Sequence, residues 1–171
     1  VRGLTVAYGD FVLLKNADFD INKGDVFIIM GASGGGKSSL LRVLTGLVPA
    51  ASGRILIDGV DFTAATENER AKIMQKCGIL YQSGALFSSM TLAENIALPL
   101  RQYTDYSDKL ISELVSLKLA LVGLTGFEEF YPSEISGGMK KRAGLARALA
   151  LDPGIVYFDE PSAGLDPISS K

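Results

Sequence analysis

The stretch Gly31-Ala32-Ser33-Gly34-Gly35-Gly36-Lys37-Ser38 constrains this chain more than any other. It follows the apolar run Val26-Phe27-Ile28-Ile29-Met30 and precedes Ser39-Leu40-Leu41-Arg42-Val43-Leu44, an order that predicts strand, glycine loop, helix. Glycines at 31, 34, 35 and 36 let the main chain turn so that successive N–H groups face phosphate oxygens, and the helix start beyond adds the positive end of its dipole. Lys37 has the reach to neutralise β and γ phosphates, and the Ser38 hydroxyl suits a Mg²⁺ shell that also contains phosphate oxygens and water. A flexible glycine turn is the plainer reading of the glycines alone. The strand and helix around them favour a nucleotide cradle, with Gly31, Ser33, Gly34, Gly35, Gly36, Lys37, Ser38 and Ser39 as its candidate residues.

With 171 residues, 47% of them hydrophobic, the chain can bury one sizeable core and is short for two ordinary domains. It opens at Val1 already in strand-like sequence, which predicts a missing N-terminal piece. A net charge of −2 and a pI near 5.2 supply no basic footprint for nucleic acid. The single cysteine, Cys77, cannot close an internal disulfide, which fits a reducing compartment, and it reads as a small buried apolar residue. No run approaches 18 apolar residues, so a membrane role must act through a partner.

Along the chain, Arg2–Tyr8 and Phe11–Ile21 flank a Gly9-Asp10 turn signal and predict two antiparallel strands. The phosphate-loop helix is expected from Gly36 to about Leu47, and a strand from Gly53 to an Asp58-Gly59 turn. Residues 67–76 have helical composition, and Gly78–Gln82 reads as a short buried strand. Thr91 is an expected N-cap for a helix ending near Leu98-Pro99, and Ser107 caps the next. In that second helix Leu110, Leu114, Leu117 and Leu121 recur at helical spacing and are expected in the core. Ser136 precedes a helix through Leu151, which Asp152-Pro153-Gly154 ends.

Ile155-Val156-Tyr157-Phe158 then predicts a buried parallel strand carrying Asp159 and Glu160 to its carboxyl end, the edge where open α/β sheets bind ligands. There Asp159 can hold Mg²⁺ through water, and Glu160 can accept a proton from an attacking water. Gln82, after the preceding strand, carries an amide that could coordinate Mg²⁺ or orient water. Ser136-Gly137-Gly138-Met139 opens a second glycine-rich helix start, another anion-facing end. A single nucleotide hardly needs both from one subunit. The economical arrangement is a two-fold dimer in which each chain lends one end to its partner's nucleotide.

Together these residues resemble the nucleotide-binding subunit of ABC transporters, from about Gly3 to Pro167. By that resemblance Tyr8 stacks on adenine, Gly31–Ser38 is Walker A, Gln82 the Q-loop, Ser136–Met139 the signature, Asp159 and Glu160 Walker B with its catalytic base, and Ser162–Asp166 the loop that crosses the dimer. Within the superfamily, Gln82–Phe87, Glu94–Arg101 and Ser136–Arg142 resemble the ATPase of MCE/Mla-type lipid transporters. Met139 stands where the usual signature has Gln, and Ile135 where it has Leu, as the lipid-transporter branch tends to show.

The resemblance implies an α/β fold: a P-loop NTPase (RecA-like) core, an N-terminal antiparallel β subdomain and an inserted α-helical subdomain. Residues 1–25 and 53–60 would form the β part, 26–52, 61–82 and 151–171 the core, and 83–150 the helical subdomain. The family's switch histidine has no counterpart, since the chain contains no His. A single domain truncated at both ends, hydrolysing ATP poorly alone, is therefore expected.

The implied activity is ATP hydrolysis with Mg²⁺, by Lys37, Gln82 and Glu160, with Ser38, Gln82 and Asp159 on the metal and Ser136, Gly137, Gly138 and Asp166 completing a partner's site. The implied partners are a second copy, a multi-span permease, and MCE-domain and STAS-domain proteins, at the cytoplasmic face of a bacterial inner membrane, moving phospholipid between inner and outer membrane. Ala85-Leu86-Phe87 and Met90-Thr91-Leu92 suit either a docking groove for the permease or ordinary core packing. A DNA-maintenance ATPase of the same fold is the contrasting reading. It would carry long coiled coils between Gln82 and Ser136, and that segment is short and lacks sustained heptads. A transporter for another cargo is the third.

Overall fold

The computed structural model describes residues 1–32 and 34–160, which form two compact units, Val1–Met74 and the part from Gln75 onward. In the first unit β1 (Arg2–Tyr8) pairs antiparallel with β2 (Phe11–Ala17) and with β3 (Ser52–Arg54), giving the order β2-β1-β3. Leu4 pairs with Ala17 and Tyr8 with Phe11, so the Gly9-Asp10 turn lies where the sequence predicts it. Alternation along β1 buries Leu4 and Val6. Gly53 allows β3 its close approach: a Cβ there would stand 2.3 Å from the Gly3 carbonyl oxygen. The strand expected from Gly53 to Gly59 is interrupted at Ile55, whose N–H donates to Thr63 Oγ1 at 2.7 Å. Beyond it β4 (Leu56–Ile57) and β5 (Val60–Asp61) form a hairpin. Its turn residues Asp58 and Gly59 both have positive φ, 49° and 79°, as tight two-residue hairpins require.

α1 (Lys37–Leu44) buries Leu40, Leu41, Val43 and Leu44, and α2 (Glu67–Met74) follows β5 with no buried residue. The strand expected over Val26–Met30 is not formed. Val26 is 89% and Met30 85% exposed, and among the described residues no strand offers the run a hydrogen-bond ladder. Apolar composition marked a segment fit for burial, but a strand also needs a neighbour. Phe27 alone finds a ring partner, stacking on Phe19 at 5.0 Å.

In the second unit β6 (Cys77–Leu80) and β7 (Ile155–Phe158) pair in parallel, Cys77 opposite Ile155 and Leu80 opposite Phe158. Between them lie α3 (Leu92–Tyr103), α4 (Asp108–Leu121), a 3-10 turn (Pro132–Glu134) and α5 (Gly137–Ala148). Their shared core contains Leu92, Ile96, Leu100, Ile111, Val115, Leu119, Leu124, Ile135, Ala143 and Ala146. Thr91 caps α3 as expected: its hydroxyl accepts from the Glu94 N–H at 3.1 Å, and Glu94 accepts from the Thr91 N–H at 2.8 Å.

Three expectations need correction here. α3 continues through Pro99 to Tyr103, because the buried Ile96 and Leu100 on either side outweigh the bond that proline removes. The Leu110, Leu114, Leu117, Leu121 stripe is not the core face. Leu117 is 53% and Leu121 66% exposed, whereas Ile111, Val115 and Leu119 are buried. Two apolar stripes run along α4, and the leucine count picked the wrong one. β7 is half-buried instead of buried, and Phe158 is exposed.

Among the described residues of this unit one charged side chain is buried. Lys118 on α4 is 4% exposed, and its ammonium meets Asp152 in the turn before β7 at 2.5 Å.

Candidate functional site

In the first unit the glycine loop leads into α1 through its N-cap Gly36, at φ 83° and ψ 7°, a residue with no side chain to cap the helix. Gly34 is also left-handed, at φ 78°. The Gly35 N–H donates to the Ala32 carbonyl at 3.0 Å, tightening the turn. Glycine is demanded twice over at Gly36, since a Cβ there would also stand 3.3 Å from Leu13 Cβ. Lys37 folds back across its own loop, donating from Nζ to the carbonyls of Gly31 at 3.1 Å and Ala32 at 3.0 Å. These are neutral acceptors, and a phosphate oxygen in their place would make a stronger, charge-assisted bond. Ser38 and Ser39 occupy the first turn of α1, half-buried. Tyr8 ends β1 at the hairpin tip with 44% of its surface exposed, a ring open to stacking. Ser33 lies outside the described residues.

In the second unit the parallel pair delivers its chemistry to one edge. The Asp159 N–H donates to the Leu80 carbonyl at 2.9 Å, carrying the β6–β7 ladder one step past its last residue. Gln82, just beyond β6, then donates from Nε2 to Glu160 Oε2 at 3.3 Å across 78 residues of sequence. Gln82, Asp159 and Glu160 therefore share the carboxyl end of the two strands. Glu160 has φ 48°, a left-handed conformation uncommon for a residue with a side chain and one that clusters at functional sites. Upstream on β7, burial pushes the Tyr157 phenol up to about 12.

Ser136, the first residue of the second glycine motif, caps α5, its hydroxyl accepting from the Met139 N–H at 3.2 Å. Ser136 and Gly137 are exposed and Gly138 is half-buried. Asp166 and the rest of Ser162–Asp166 lie outside the described residues. The segment 85–92 divides between its two readings: Thr91 and Leu92 are core, while Phe87 is 50% exposed.

Two residues escaped the sequence reading. Asn95, fully buried, accepts from the Phe87 N–H at 2.8 Å and donates to the carbonyls of Phe87, Met90 and Thr91. Arg147 on α5 donates to the carbonyls of Ala85 at 2.8 Å and Gly84 at 3.3 Å. An asparagine on the apolar face of α3, between Leu92 and Ile96, was the available signal for the first. For the second it was Gly144, a poor helix former three residues before Arg147.

Among the described residues no group of three His, Cys, Asp or Glu could hold a metal. At the carboxyl edge of β6 and β7 the donors at hand are the Gln82 amide oxygen and the Asp159 carboxylate. Oxygen donors of this kind suit Mg²⁺, which keeps several waters and takes one or two carboxylates from the protein.

A glycine cradle running into a helix, a carboxylate pair at a parallel strand edge and a serine-capped glycine helix start define an ATP-binding cassette, and the chain belongs to the ABC transporter family, whose profile matches residues 14–163. It is similar to the probable ribonucleotide transport ATP-binding protein mkl of Mycobacterium leprae, 48% identical over 168 residues that cover 98% of this chain and 48% of that one. It is also similar to the intermembrane phospholipid transport system ATP-binding protein MlaF of Haemophilus influenzae, 44% identical over 99% of this chain and 64% of that one. The chain thus spans about half to two thirds of the length of these relatives. Among solved structures, the ATP-binding cassette MJ0796, a dimer in a post-hydrolysis state bound to ADP and Pi, superposes with a TM-score of 0.90 at 31% identity, over 98% of this chain and 76% of that one. The fold is accordingly that of an ABC cassette, as the motifs imply. No helix among the described residues is long and apolar enough to cross a membrane.

Proposed function

We propose that this chain is the ATP-binding and ATP-hydrolysing part of a subunit that powers a bacterial ABC transporter of phospholipid between inner and outer membrane. The observation that carries the hydrolytic half is the Gln82–Glu160 contact at the carboxyl edge of β6 and β7. It pairs a carboxylate able to accept a proton with an amide able to orient the water that loses it. The amide keeps the carboxylate oriented, and Glu160 stands two residues beyond β7 in a left-handed conformation.

Gly34, Gly35, Gly36 and the first turn of α1 would cradle the phosphates with main-chain N–H groups, and Lys37 would exchange its loop carbonyls for β and γ oxygens. Tyr8 would stack on the adenine, and Gly31, Ser33 and Ser39 would complete the loop. Ser38, Gln82 and Asp159 would hold Mg²⁺, which neutralises developing phosphate charge when bound. Ser136, Gly137, Gly138 and Asp166 would face the nucleotide of a second copy, and the dimeric cassette at TM-score 0.90 supports that pairing. A membrane permease, with MCE-domain and STAS-domain proteins, would receive the motion at the cytoplasmic face of the inner membrane.

Phospholipid as cargo is favoured by the MlaF relatives, 40–44% identical across 99% of the chain. The mkl relative, named for ribonucleotide transport and 48% identical, supports a second reading in which the same motor serves another cargo. In the full-length protein assembled with its membrane partner, Glu160→Gln should lower steady-state hydrolysis by about 10²–10⁴-fold while nucleotide still binds. Unchanged turnover would end the general-base assignment. Phospholipid moving between vesicles on ATP addition, and ribonucleotide failing to, would decide the cargo.

A further inference from the structure

The loop after β6 is held in a costly shape close to Gln82. Gly84 and Ala85 are consecutive left-handed residues, at φ 77° and 50°, and alanine has none of glycine's freedom there. The loop also lies against α5 with no room to spare. A Cβ on Gly84 would stand 2.7 Å from the Lys140 carbonyl oxygen, and one on Gly144 would stand 2.7 Å from the Gly84 carbonyl oxygen. Arg147 closes this contact. Its two terminal nitrogens donate to the carbonyls of the same two left-handed residues, and its guanidinium lies 5.7 Å from the centre of the Phe87 ring. On the far side Asn95 pins Phe87 by both its N–H and its carbonyl.

We propose that Arg147 is a positioning residue for hydrolysis: by clamping the carbonyls of Gly84 and Ala85 onto α5, it fixes the loop that presents the Gln82 amide to Glu160. The inference rests on the ATPase reading above. The Ser136 end and the Gln82 loop then move as one piece, since the helix that begins at Ser136 grips the loop directly. A lysine would substitute only in part, because one ammonium lacks the planar fork that spans two adjacent carbonyls and lies on a ring.

The test uses the full-length protein in its membrane complex and two readouts, steady-state kinetics with Mg-ATP and backbone amide exchange without nucleotide. Arg147→Gln should lower kcat roughly ten- to a hundredfold, as for a small misplacement of a group near the reacting centre, with KM unchanged. Amides at 84–87 should exchange roughly tenfold faster while those of α3 and α4 keep their rates. Arg147→Lys should fall between. Adding Ala85→Gly to Arg147→Gln should recover part of kcat, because glycine holds the left-handed turn at little cost. Unaltered exchange at 84–87, or faster exchange spread evenly across the helical core, would overturn the clamp. A wild-type complex that hydrolyses no ATP would overturn the ATPase reading, and the exchange arm would still decide the clamp.

Discussion

Two glycine-rich segments open helices in this chain, and they are built differently. α1 starts on Gly36 at φ 83° with no capping side chain, whereas α5 starts on Ser136 at φ −66° and ψ 161°, its hydroxyl bonded to the Met139 N–H. The first begins on a glycine, which brings no capping oxygen of its own and whose backbone freedom lets main-chain N–H groups turn toward an anion. The second satisfies part of its own terminus. Their glycines differ too. Gly36 is required by its own chain, through its φ and through Leu13, while around Gly137 a Cβ would meet nothing within 4 Å. The same composition thus makes a loop fixed by its own chain in one place and an exposed helix start in the other.

Lys37→Ala should sharpen the contrast most. Removing the charge that lies over the glycine loop should weaken Mg-ATP binding by roughly a hundredfold, the scale of losing one partner of a charged, hydrogen-bonded contact. Titration calorimetry on the full-length protein would measure it. Equal affinity in the variant would mean that the loop does not cradle phosphate. Gly36→Ala comes next. Forcing a side chain into the left-handed region costs about 1–2 kcal/mol, and Leu13 adds a contact at 3.3 Å. Nucleotide affinity should then fall about tenfold, together with a lowered Tm. A variant as stable and as tight as the wild type would show that the loop geometry is not required.

Much of this was legible in the sequence, and what was missed has physical causes. Local chemistry announced itself: Thr91, Ser107, Ser136 and the Gly9-Asp10 turn all do what their side chains or backbone freedom predict. Gln82 and Glu160 were legible as separate strand ends. Their contact was not, because it depends on the parallel register of Leu80 with Phe158. Faces were harder than elements. α4 presents leucines on one side and Ile111, Val115 and Leu119 on another, and only packing against α3 and α5 decides between them. Val26–Met30 failed for the opposite reason, since its apolar pattern was plain and its strand partner was not. Arg147 acts on a carbonyl 62 residues away, and Asn95 on the loop just before its own helix; the residue types stand out in the sequence, but their partners appear only in the fold.

The smallest expected effect on the chain itself is the one that separates the two helix starts most cleanly. Gly137→Ala places a methyl group in open space at a position without positive φ, and alanine favours helix over glycine by up to about 1 kcal/mol. Thermal unfolding of the variant should therefore be unchanged or slightly raised, and Mg-ATP affinity of the isolated subunit should match the wild type. If the tip meets a partner's nucleotide, the added methyl enters the space where triphosphate oxygens must approach. ATP-induced dimerisation, followed by light scattering in a Glu160→Gln background, should then weaken while fold and binding stay intact. Unimpaired dimerisation would mean that Gly137 faces no partner. A loss of stability would mean that its glycine serves its own helix, and the distinction drawn from Gly36 would not hold.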